Sequence, residues 1–176
     1  MFQTIERYEH FGLGLPYPIV ILGGAEEELD EAGNRVGIHI PNSDGLAASV
    51  ALARALLPVE LSGSEVRFIR RAIGMTAREL AAAADIKPET LSRWENDKCS
   101  MGQWADKQIR LMAVVALRGR VPGVTADDKS VVALNPVRRV VGVWPKLEMR
   151  LVHIPSEQGG NSEDEAWDFI PQLLAA

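Results

Sequence analysis

Two helix-start signals of the same kind lie fourteen residues apart in the middle of the chain, and they restrict its fold more than any other feature. Each is a capping box, in which a hydroxyl residue is followed three positions later by Glu: Ser62 with Glu65, and Thr76 with Glu79. Gly74 stands between them and is suited to end the first helix, because glycine adopts left-handed backbone conformations without steric cost. The pattern predicts two short helices joined by a tight turn.

A third short helix is predicted immediately afterwards. Pro88 suits its first position, where the missing N–H would have no partner in any case. Leu91 and Trp94 are three residues apart, so both face the core beneath this helix. A helix held in this way can protrude into the major groove of DNA, which is about 12 Å wide and admits one α-helix.

The segment from Met75 to Asn96 resembles the helix-turn-helix of the lambda-repressor/Cro (Xre-type) family. The resemblance rests on residue types and turn spacing at Thr76, Glu79, Leu80, Ala81, Ile86, Thr90, Leu91, Ser92, Arg93, Trp94, Glu95 and Asn96. A wider stretch, residues 41–112, resembles the DNA-binding half of MqsA-type antitoxin-regulators. The resemblance implies a lambda-repressor-like helical DNA-binding domain whose third helix enters the major groove.

The chain departs from these families in three places. Asp85 occupies the turn position that usually holds Gly, and Asp is among the residues that best tolerate left-handed backbone. Ala77 occupies the position of a DNA-contacting Gln, so that contact is lost or moves to Arg78. The single cysteine, Cys99, excludes the paired cysteines of the MqsA zinc module, and we predict no metal site and no cofactor.

The predicted DNA contacts form two sets, and an ordinary solvated polar face is the alternative for both. The first set would read base edges from the outer face of the third helix: Lys87, Glu89, Thr90 and Arg93. The second set would contact phosphates, which positions a protein without reading sequence: Thr76, Arg78, Ser92 and Lys98.

Several neighbouring residues are assigned structural roles. Arg67, Arg70 and Arg71 are expected to be surface charges or ion-pair partners, with DNA contact as the alternative. Glu95 is expected to support the domain through arginine or backbone contacts, and Trp104 is expected to pack in the core. No pair of a nucleophile and a base is visible, so we predict no catalytic residues and a protein that is not an enzyme.

The N-terminal segment predicts short β-structure followed by a helix. An apolar run from Tyr17 to Leu22 ends at Gly23-Gly24, and residues 36–40 alternate between apolar and small or polar residues. The acidic stretch of residues 26–34 between them is predicted to be a turn. Residues 44–57 carry apolar residues at helical spacing and predict a helix that ends at Pro58.

The C-terminal segment predicts more β-structure, and hence an α+β fold. Residues 119–130 resemble a linker, residues 131–143 and 147–153 predict strands, and residues 164–174 predict a short helix. These strands are expected to pair with the N-terminal strands or to form a dimer surface, because sheet edges need cover. We therefore divide the chain into a small β-containing region (1–41), a helix-turn-helix DNA-binding domain (42–118) and a linker plus β-rich segment (119–176).

Charge is distributed unevenly along the chain. The net charge of −5 disfavours nucleic acid as a partner, yet residues 61–120 carry +4, against −6 for residues 1–60 and −3 for residues 121–176. The basic charge therefore coincides with the three predicted helices. No apolar run reaches the ~18 residues of a membrane span and no secretory signal is present, so we expect a cytoplasmic protein without a membrane partner.

The sequence thus predicts a DNA-binding transcriptional regulator that represses as a homodimer on a palindromic operator of double-stranded DNA. One recognition helix covers only a few base pairs, and two half-sites about 34 Å apart supply the remaining specificity. The alternative is an antitoxin of a toxin-antitoxin pair. In that hypothesis the acidic flanks bind a basic protein toxin, and the protein autoregulates its operon.

Overall fold

A computed structural model describes residues 1–124, 126–155 and 163–170 of the chain. Within these ranges a sheet packs with a group of helices. The strands are β1 (Phe2–His10), β2 (Ile19–Leu29), β3 (Arg35–His39), β4 (Glu148–Pro155) and β5 (Glu163–Ile170). The helices are α1 (Ser43–Leu56), α2 (Gly63–Ala72), α3 (Ala77–Ala83), α4 (Pro88–Glu95), α5 (Gln103–Leu117) and α6 (Asp128–Ala133).

The helix ends follow from the capping residues, as predicted. Both capping boxes form, and α2 begins after Ser62 while α3 begins after Thr76. The turn residues Gly74 and Asp85 have φ angles of 77° and 51°, the left-handed conformation that each turn requires. Pro88 is the first residue of α4. These local signals place the three central helices without reference to the rest of the chain.

The sheet joins the two ends of the chain. Its order is β1-β2-β4-β5, and β3 also pairs with β2, beyond the end of the β2–β4 pairing. β1, β3 and β2 are mutually antiparallel where they pair, β2 and β4 are parallel, and β4 and β5 are antiparallel. The C-terminal strands therefore pair with the N-terminal strands, which is the first of the two alternatives that the sequence left open.

One hydrophobic core joins the sheet to the helices. Its buried members come from β2, β4, β5 and each of the helices named above, and they include Ile19, Ile21, Leu46, Val50, Ile69, Ile109, Leu117, Met149 and Trp167. The helix-turn-helix segment is thus attached to a scaffold that both ends of the chain build.

The prediction that β2 ends at Gly23-Gly24 is wrong. Both glycines lie inside β2, where the register with β1 shifts between Ile5 and Arg7. A Cβ on Gly24 would lie 2.7 Å from the indole ring of Trp167, so the strand needs glycine here because an aromatic ring covers it. The strand continues to Leu29, and the predicted turn of residues 26–34 shortens to residues 30–34.

The C-terminal predictions are partly wrong. Residues 128–133 form α6 rather than the end of a linker and the start of a strand, and Val137 makes a single bridge with Val59. β5 replaces the predicted helix of residues 164–174, of which residues 171–174 lie outside the described residues. The reason is long-range: β5 pairs with β4 along its length, and the Trp167 Nε1 donates to the carbonyl of Asn42 at 3.0 Å.

Trp104 is also misplaced by the sequence prediction, because it is 66% exposed rather than in the core. The inward face of α5 is set by Ile109, Ala113 and Leu117, and Trp104 lies on the opposite face. The predicted strand of residues 147–153 is confirmed as part of β4, and the predicted helix of residues 44–57 is confirmed as α1.

A buried ion pair fixes α1 to the start of α2. The side chains of Arg54 and Glu65 are fully buried, and the Arg54 Nε donates to Glu65 Oε1 at 2.5 Å. The Tyr17 hydroxyl donates to the same oxygen at 2.6 Å, and the Ser62 N–H donates to Oε2 at 2.7 Å. Glu65 therefore joins the strand-bearing N-terminal segment, α1 and the capping box of α2.

A second buried ion pair lies beside the first. Arg110 of α5 donates to the carboxylate of Asp106 one turn earlier, and the backbone N–H of Leu61 donates to the same carboxylate at 2.8 Å. The guanidinium of Arg110 also donates to the carbonyl oxygens of Leu57 and Val59, each at 2.6 Å. These carbonyls follow the end of α1, where no intrahelical donor is available, so Arg110 satisfies them.

The pKa of Glu65 is held below its ordinary value. Burial alone would raise this pKa, but the positive charge of Arg54 and the hydrogen bonds from Arg54, Ser62 and Tyr17 outweigh it. For Arg54, burial would lower the pKa, and the charge of Glu65 reverses that effect, so that the pKa is raised. Both partners of the pair are therefore charged in the folded protein.

We predict that Glu65→Gln lowers the free energy of unfolding at pH 7 by about 3 kcal/mol, because it leaves the buried Arg54 charge uncompensated. The variant should also respond less to acid. The folded pKa of Glu65 lies below the unfolded value of about 4.3, so its contribution is present above that pH and is lost as the pH falls below it.

Urea unfolding between pH 7 and pH 3 measures both effects. Glu31→Gln, in an exposed turn, is the matched control and should retain the acid response of the parent protein. If Glu65→Gln and the parent lost stability equally between pH 5 and pH 3, Glu65 would not be the group that titrates.

Candidate nucleic-acid interface

Glu95 at the end of α4 fastens that helix to α2. Its side chain is buried, and its carboxylate lies 2.6 Å from Arg70 Nε and 3.4 Å from Arg67 Nε. Arg67 also donates to the backbone carbonyl of Glu95 at 3.0 Å. The predicted supporting role of Glu95 is confirmed, and Arg67 and Arg70 are its ion-pair partners. These two arginines hold α4 in place from the side opposite its exposed face.

Gly63 lets α2 and α4 approach each other closely. A Cβ at this position would lie 2.2 Å from the carbonyl oxygen of Trp94 and 2.8 Å from the carbonyl carbon of Glu95, so any larger residue would force the helices apart. The N–H of Gly63 donates to the side chain of Asp97 at 2.9 Å. Sequence reasoning missed this contact, because Gly63 and Asp97 are 34 residues apart and no local pattern links them. In the structure Asp97 has a left-handed φ angle of 52°.

The α3–α4 turn is closed by small and apolar residues. Leu80 and Ala81 of α3 and Leu91 of α4 are buried, and the N–H of Ile86 donates to the carbonyl of Ala81 at 2.9 Å. Trp94 is half-buried beneath α4 and packs against the core. Leu91 and Trp94 therefore anchor α4 from below, in the arrangement that their spacing predicts.

The four base-reading candidates lie together on α4. Lys87 is the N-cap residue of α4, where its ammonium group, which has no acceptor, makes no side-chain cap hydrogen bond. Lys87, Glu89 and Arg93 are exposed, whereas Thr90 is half-buried and lies closer to the body of the helix. The structure thus places the four residues on α4 or at its N-cap, and the reading of bases by them stays a prediction.

The phosphate candidates lie on or next to α3 and α4 and are all exposed: Thr76, Arg78, Ser92 and Lys98. Thr76 is already engaged in its capping box, because its backbone N–H donates to Glu79 Oε2 at 2.7 Å and its Oγ1 accepts from the Glu79 N–H at 3.2 Å. The Thr76 hydroxyl also donates to the Glu79 carboxylate, so it would have to exchange that hydrogen bond to donate to a phosphate.

The carboxylate of Glu79 stays ionised beside these candidates. Hydrogen bonds from the backbone and side chain of Thr76 lower the pKa of Glu79, which is exposed. The ionised group holds the capping box closed and places one negative charge beside the phosphate candidate Thr76. Arg78, two residues along, supplies a positive charge on the same edge.

The end of α4 is closed by its own side chains. Asn96 Nδ2 donates to the carbonyl of Ser92 at 2.6 Å, and the backbone N–H of Lys98 donates to the carbonyl of Arg93 at 2.9 Å. These bonds satisfy two carbonyls of the last turn. These hydrogen bonds define where α4 ends, and the contacts of Glu95 with Arg67 and Arg70 orient the helix relative to α2.

Metal sites and membrane-spanning helices are both absent from the part of the chain that the structure describes. Its His, Cys, Asp and Glu side chains form no group of three or more with a spacing suited to a metal ion. Its helices include none that is long and apolar enough to cross a bilayer.

We predict that Gly63→Ala lowers the free energy of unfolding by about 1–3 kcal/mol, the usual cost of forcing extra volume into a packed contact. The methyl group would meet the backbone of Trp94 and Glu95, which cannot move without moving α4. Thermal unfolding measures the change.

Gly119→Ala is the matched control for this substitution. Gly119 is exposed, its backbone is not left-handed, and a Cβ there would meet no atom within 4 Å. Equal stability of the two alanine variants would contradict the close approach of α2 and α4.

The comparison with known families agrees with this geometry. A family model described as Helix-turn-helix matches residues 66–98, a range that runs from the first turn of α2 to just past the end of α4. Comparisons with curated proteins and with solved structures found no match. Residues 66–98 are therefore a helix-turn-helix of the lambda-repressor/Cro (Xre) type, and this α+β protein is a DNA-binding transcriptional regulator.

Proposed function

We propose that the protein is a sequence-specific repressor that binds a palindromic operator as a dimer and reads bases with α4. The observation that carries the proposal is the contrast between the two sides of this helix. Leu91 and Glu95 are buried beneath it, whereas Lys87, Glu89 and Arg93 project from its outer side. A polar helix face on a rigid support suits the major groove.

The side-chain chemistry of three of the four base-reading candidates favours particular bases. Arg93 suits a guanine, whose O6 and N7 accept two hydrogen bonds from one guanidinium. Glu89 suits the amino group of cytosine, and the methyl group of Thr90 suits that of thymine. A good bidentate pair, such as that of Arg93 with guanine, is worth about 1–3 kcal/mol of discrimination between bases. Arg78, Ser92 and Lys98, together with the Thr76 hydroxyl, would bind the phosphates on either side and fix the register.

We predict that Arg93→Ala and Thr90→Ala each weaken binding to the operator by about 1–3 kcal/mol and relax the base preference at one position of each half-site. The measurement is a titration of a labelled operator in a gel-shift assay, repeated with single-base operator variants. Arg35→Ala removes a positive charge from the exposed end of β3 and is the matched control.

The control should bind the operator like the parent protein, since β3 lies outside the helix-turn-helix. The recognition role of α4 would be contradicted if Arg93→Ala and Thr90→Ala bound every operator variant as the parent does. Loss of affinity without any change in base preference would make both residues phosphate contacts instead.

An apolar stripe on the outer face of α5 supports the dimer. Trp104 and Val115 are 66% and 62% exposed, and Leu111 between them is half-buried. These residues follow helical spacing, so they line one face over about 16 Å of helix. Large exposed side chains grouped on one face are typical of protein contacts.

The stripe is complementary to a second copy of itself. If two α5 helices meet antiparallel about a two-fold axis, Trp104 of each lies opposite Val115 of the other, and Leu111 lies near the centre. Such a contact is isologous, which a palindromic operator requires. A stable interface buries about 800 Å² on each partner, more than one helix face provides, so we expect dimerisation to be weak and strengthened by DNA.

We predict that Trp104→Ser raises the dimer dissociation constant about tenfold or more, because burial of a large apolar side chain contributes about 1.5–3 kcal/mol. Sedimentation equilibrium with and without operator DNA measures it. Val36→Ser replaces a similarly exposed apolar residue on β3 and should leave the dimer unchanged. Equal dissociation constants for the parent and Trp104→Ser would exclude α5 as the dimer surface.

A second candidate function is suggested by the acidic surface of the N-terminal strands. Exposed carboxylates are spread along β1, the end of β2 and the β2–β3 turn, on Glu6, Glu9, Glu28, Asp30 and Glu31. This surface suits a small basic protein, such as a toxin encoded beside the gene. The discriminating experiment is co-purification with the product of the neighbouring reading frame, in which Glu28→Gln with Glu31→Gln should lose the partner and retain the operator.

A further inference from the structure

A second basic surface lies outside the candidate residues on α3 and α4. It is a groove of about 380 Å³ lined by the β1–β2 loop at Gly12 and Leu13, the first turns of α1, the last turn of α2 and the turn after α5. Two arginines reach it from segments far apart in sequence: Arg71 from α2 and Arg120 from beyond α5. Folding therefore brings together two positive charges, one from each segment.

Arg71 and Arg120 differ from the other arginines of α2 in having no ion-pair partner among the described residues. Arg67 and Arg70 are committed to Glu95, whereas Arg71 and Arg120 are exposed and form no ion pair with another of the described residues. Asp44 is the one carboxylate that lines the groove, so its charged side chains carry a net positive charge. A guanidinium that no protein carboxylate neutralises attracts an anion from outside.

The position of the groove identifies the anion. Gly74 also lines it, and this residue lies in the α2–α3 turn, where its N–H donates to the carbonyl of Arg71 at 2.9 Å. Thr76, the nearest phosphate candidate, follows two residues later. For a duplex that lies against α4 and Thr76, the phosphates of the sugar-phosphate backbone beside Thr76 are the nearest anions to this turn.

We propose that the groove holds a backbone phosphate of duplex DNA that flanks the sequence read by α4, with Arg71 and Arg120 as its positioning residues. The inference rests on the proposed function, since it requires α4 to occupy the major groove. A guanidinium fork binds two phosphate oxygens at once, which fixes the angle of the protein on the duplex. The contact carries no base information, so it adds affinity equally for every flanking sequence.

The salt dependence of binding tests this role. Each lost phosphate contact reduces the slope of log affinity against log salt by about 0.9, and the groove holds one phosphate. Arg71→Ala with Arg120→Ala should therefore reduce the slope by about 0.9 for each bound chain, or about 1.8 for a dimer. Anisotropy titrations of a labelled duplex at several KCl concentrations measure it. Arg35→Ala is the charge-matched control for Arg71→Ala and Arg120→Ala taken singly, and thermal unfolding confirms that each variant is folded. Asp44→Asn should have the opposite effect and strengthen binding several-fold.

Duplex length supplies a second, independent readout. On a duplex trimmed to the base pairs that α4 protects, the double variant should bind like the parent, because the flanking phosphate is absent. Equal salt slopes for the double variant and the parent on the long duplex would overturn the groove assignment. That result would leave the proposed function intact if Arg93→Ala still changed base preference, whereas a parent without base preference would overturn both.

Discussion

The buried Arg54–Glu65 pair is the interaction on which the position of the helix-turn-helix depends. Two opposite charges are placed together inside the molecule, with Tyr17 and Ser62 donating to the same carboxylate. Removing one partner would leave a buried charge without compensation, which is far more costly than losing a surface contact. The pair therefore fixes where α2 begins relative to α1 and to the loop that leads into β2.

Because α2 contacts α4, the Arg54–Glu65 pair also determines the position of α4. Glu65 holds the first turn of α2, Gly63 in the same turn touches the backbone of Trp94, and Arg70 in the last turn holds Glu95. The recognition helix is thus oriented by backbone contact at one end of α2 and by charge at the other. Asp106 and Arg110 extend the same network into α5, whose outer stripe we assign to the dimer. The surfaces that we propose for base reading and for dimerisation are therefore both connected to one set of buried charges.

The helix-turn-helix could be predicted from the sequence because its signals are local. A capping box joins residues three apart, and the left-handed turn residues Gly74 and Asp85 act within one turn, so the sequence alone locates α2, α3 and α4. The resemblance to a known family supplied the role of α4. The prediction that Glu95 supports the domain is also confirmed, although its partners Arg67 and Arg70 are 28 and 25 residues away in sequence.

The features that the sequence did not reveal depend on distant partners. β5 carries Trp167 in a pattern that suits a short helix, and only its pairing with β4 and the contact with Gly24 make it a strand. Gly63 and Asp97 are 34 residues apart, and Arg71 and Arg120 meet only after folding. The sequence prediction for Trp104 is wrong because apolar spacing does not show which face of a helix is covered.

The most direct test of the central claim, that the outer face of α4 reads base edges, is selection of bound duplexes from a random pool, followed by sequencing and measurement of the mass of the complex. The account predicts one enriched palindrome, with half-sites about one helical turn apart, bound by two protein chains. Recovery of duplexes without any shared sequence, at a salt concentration where binding is still strong, would contradict it.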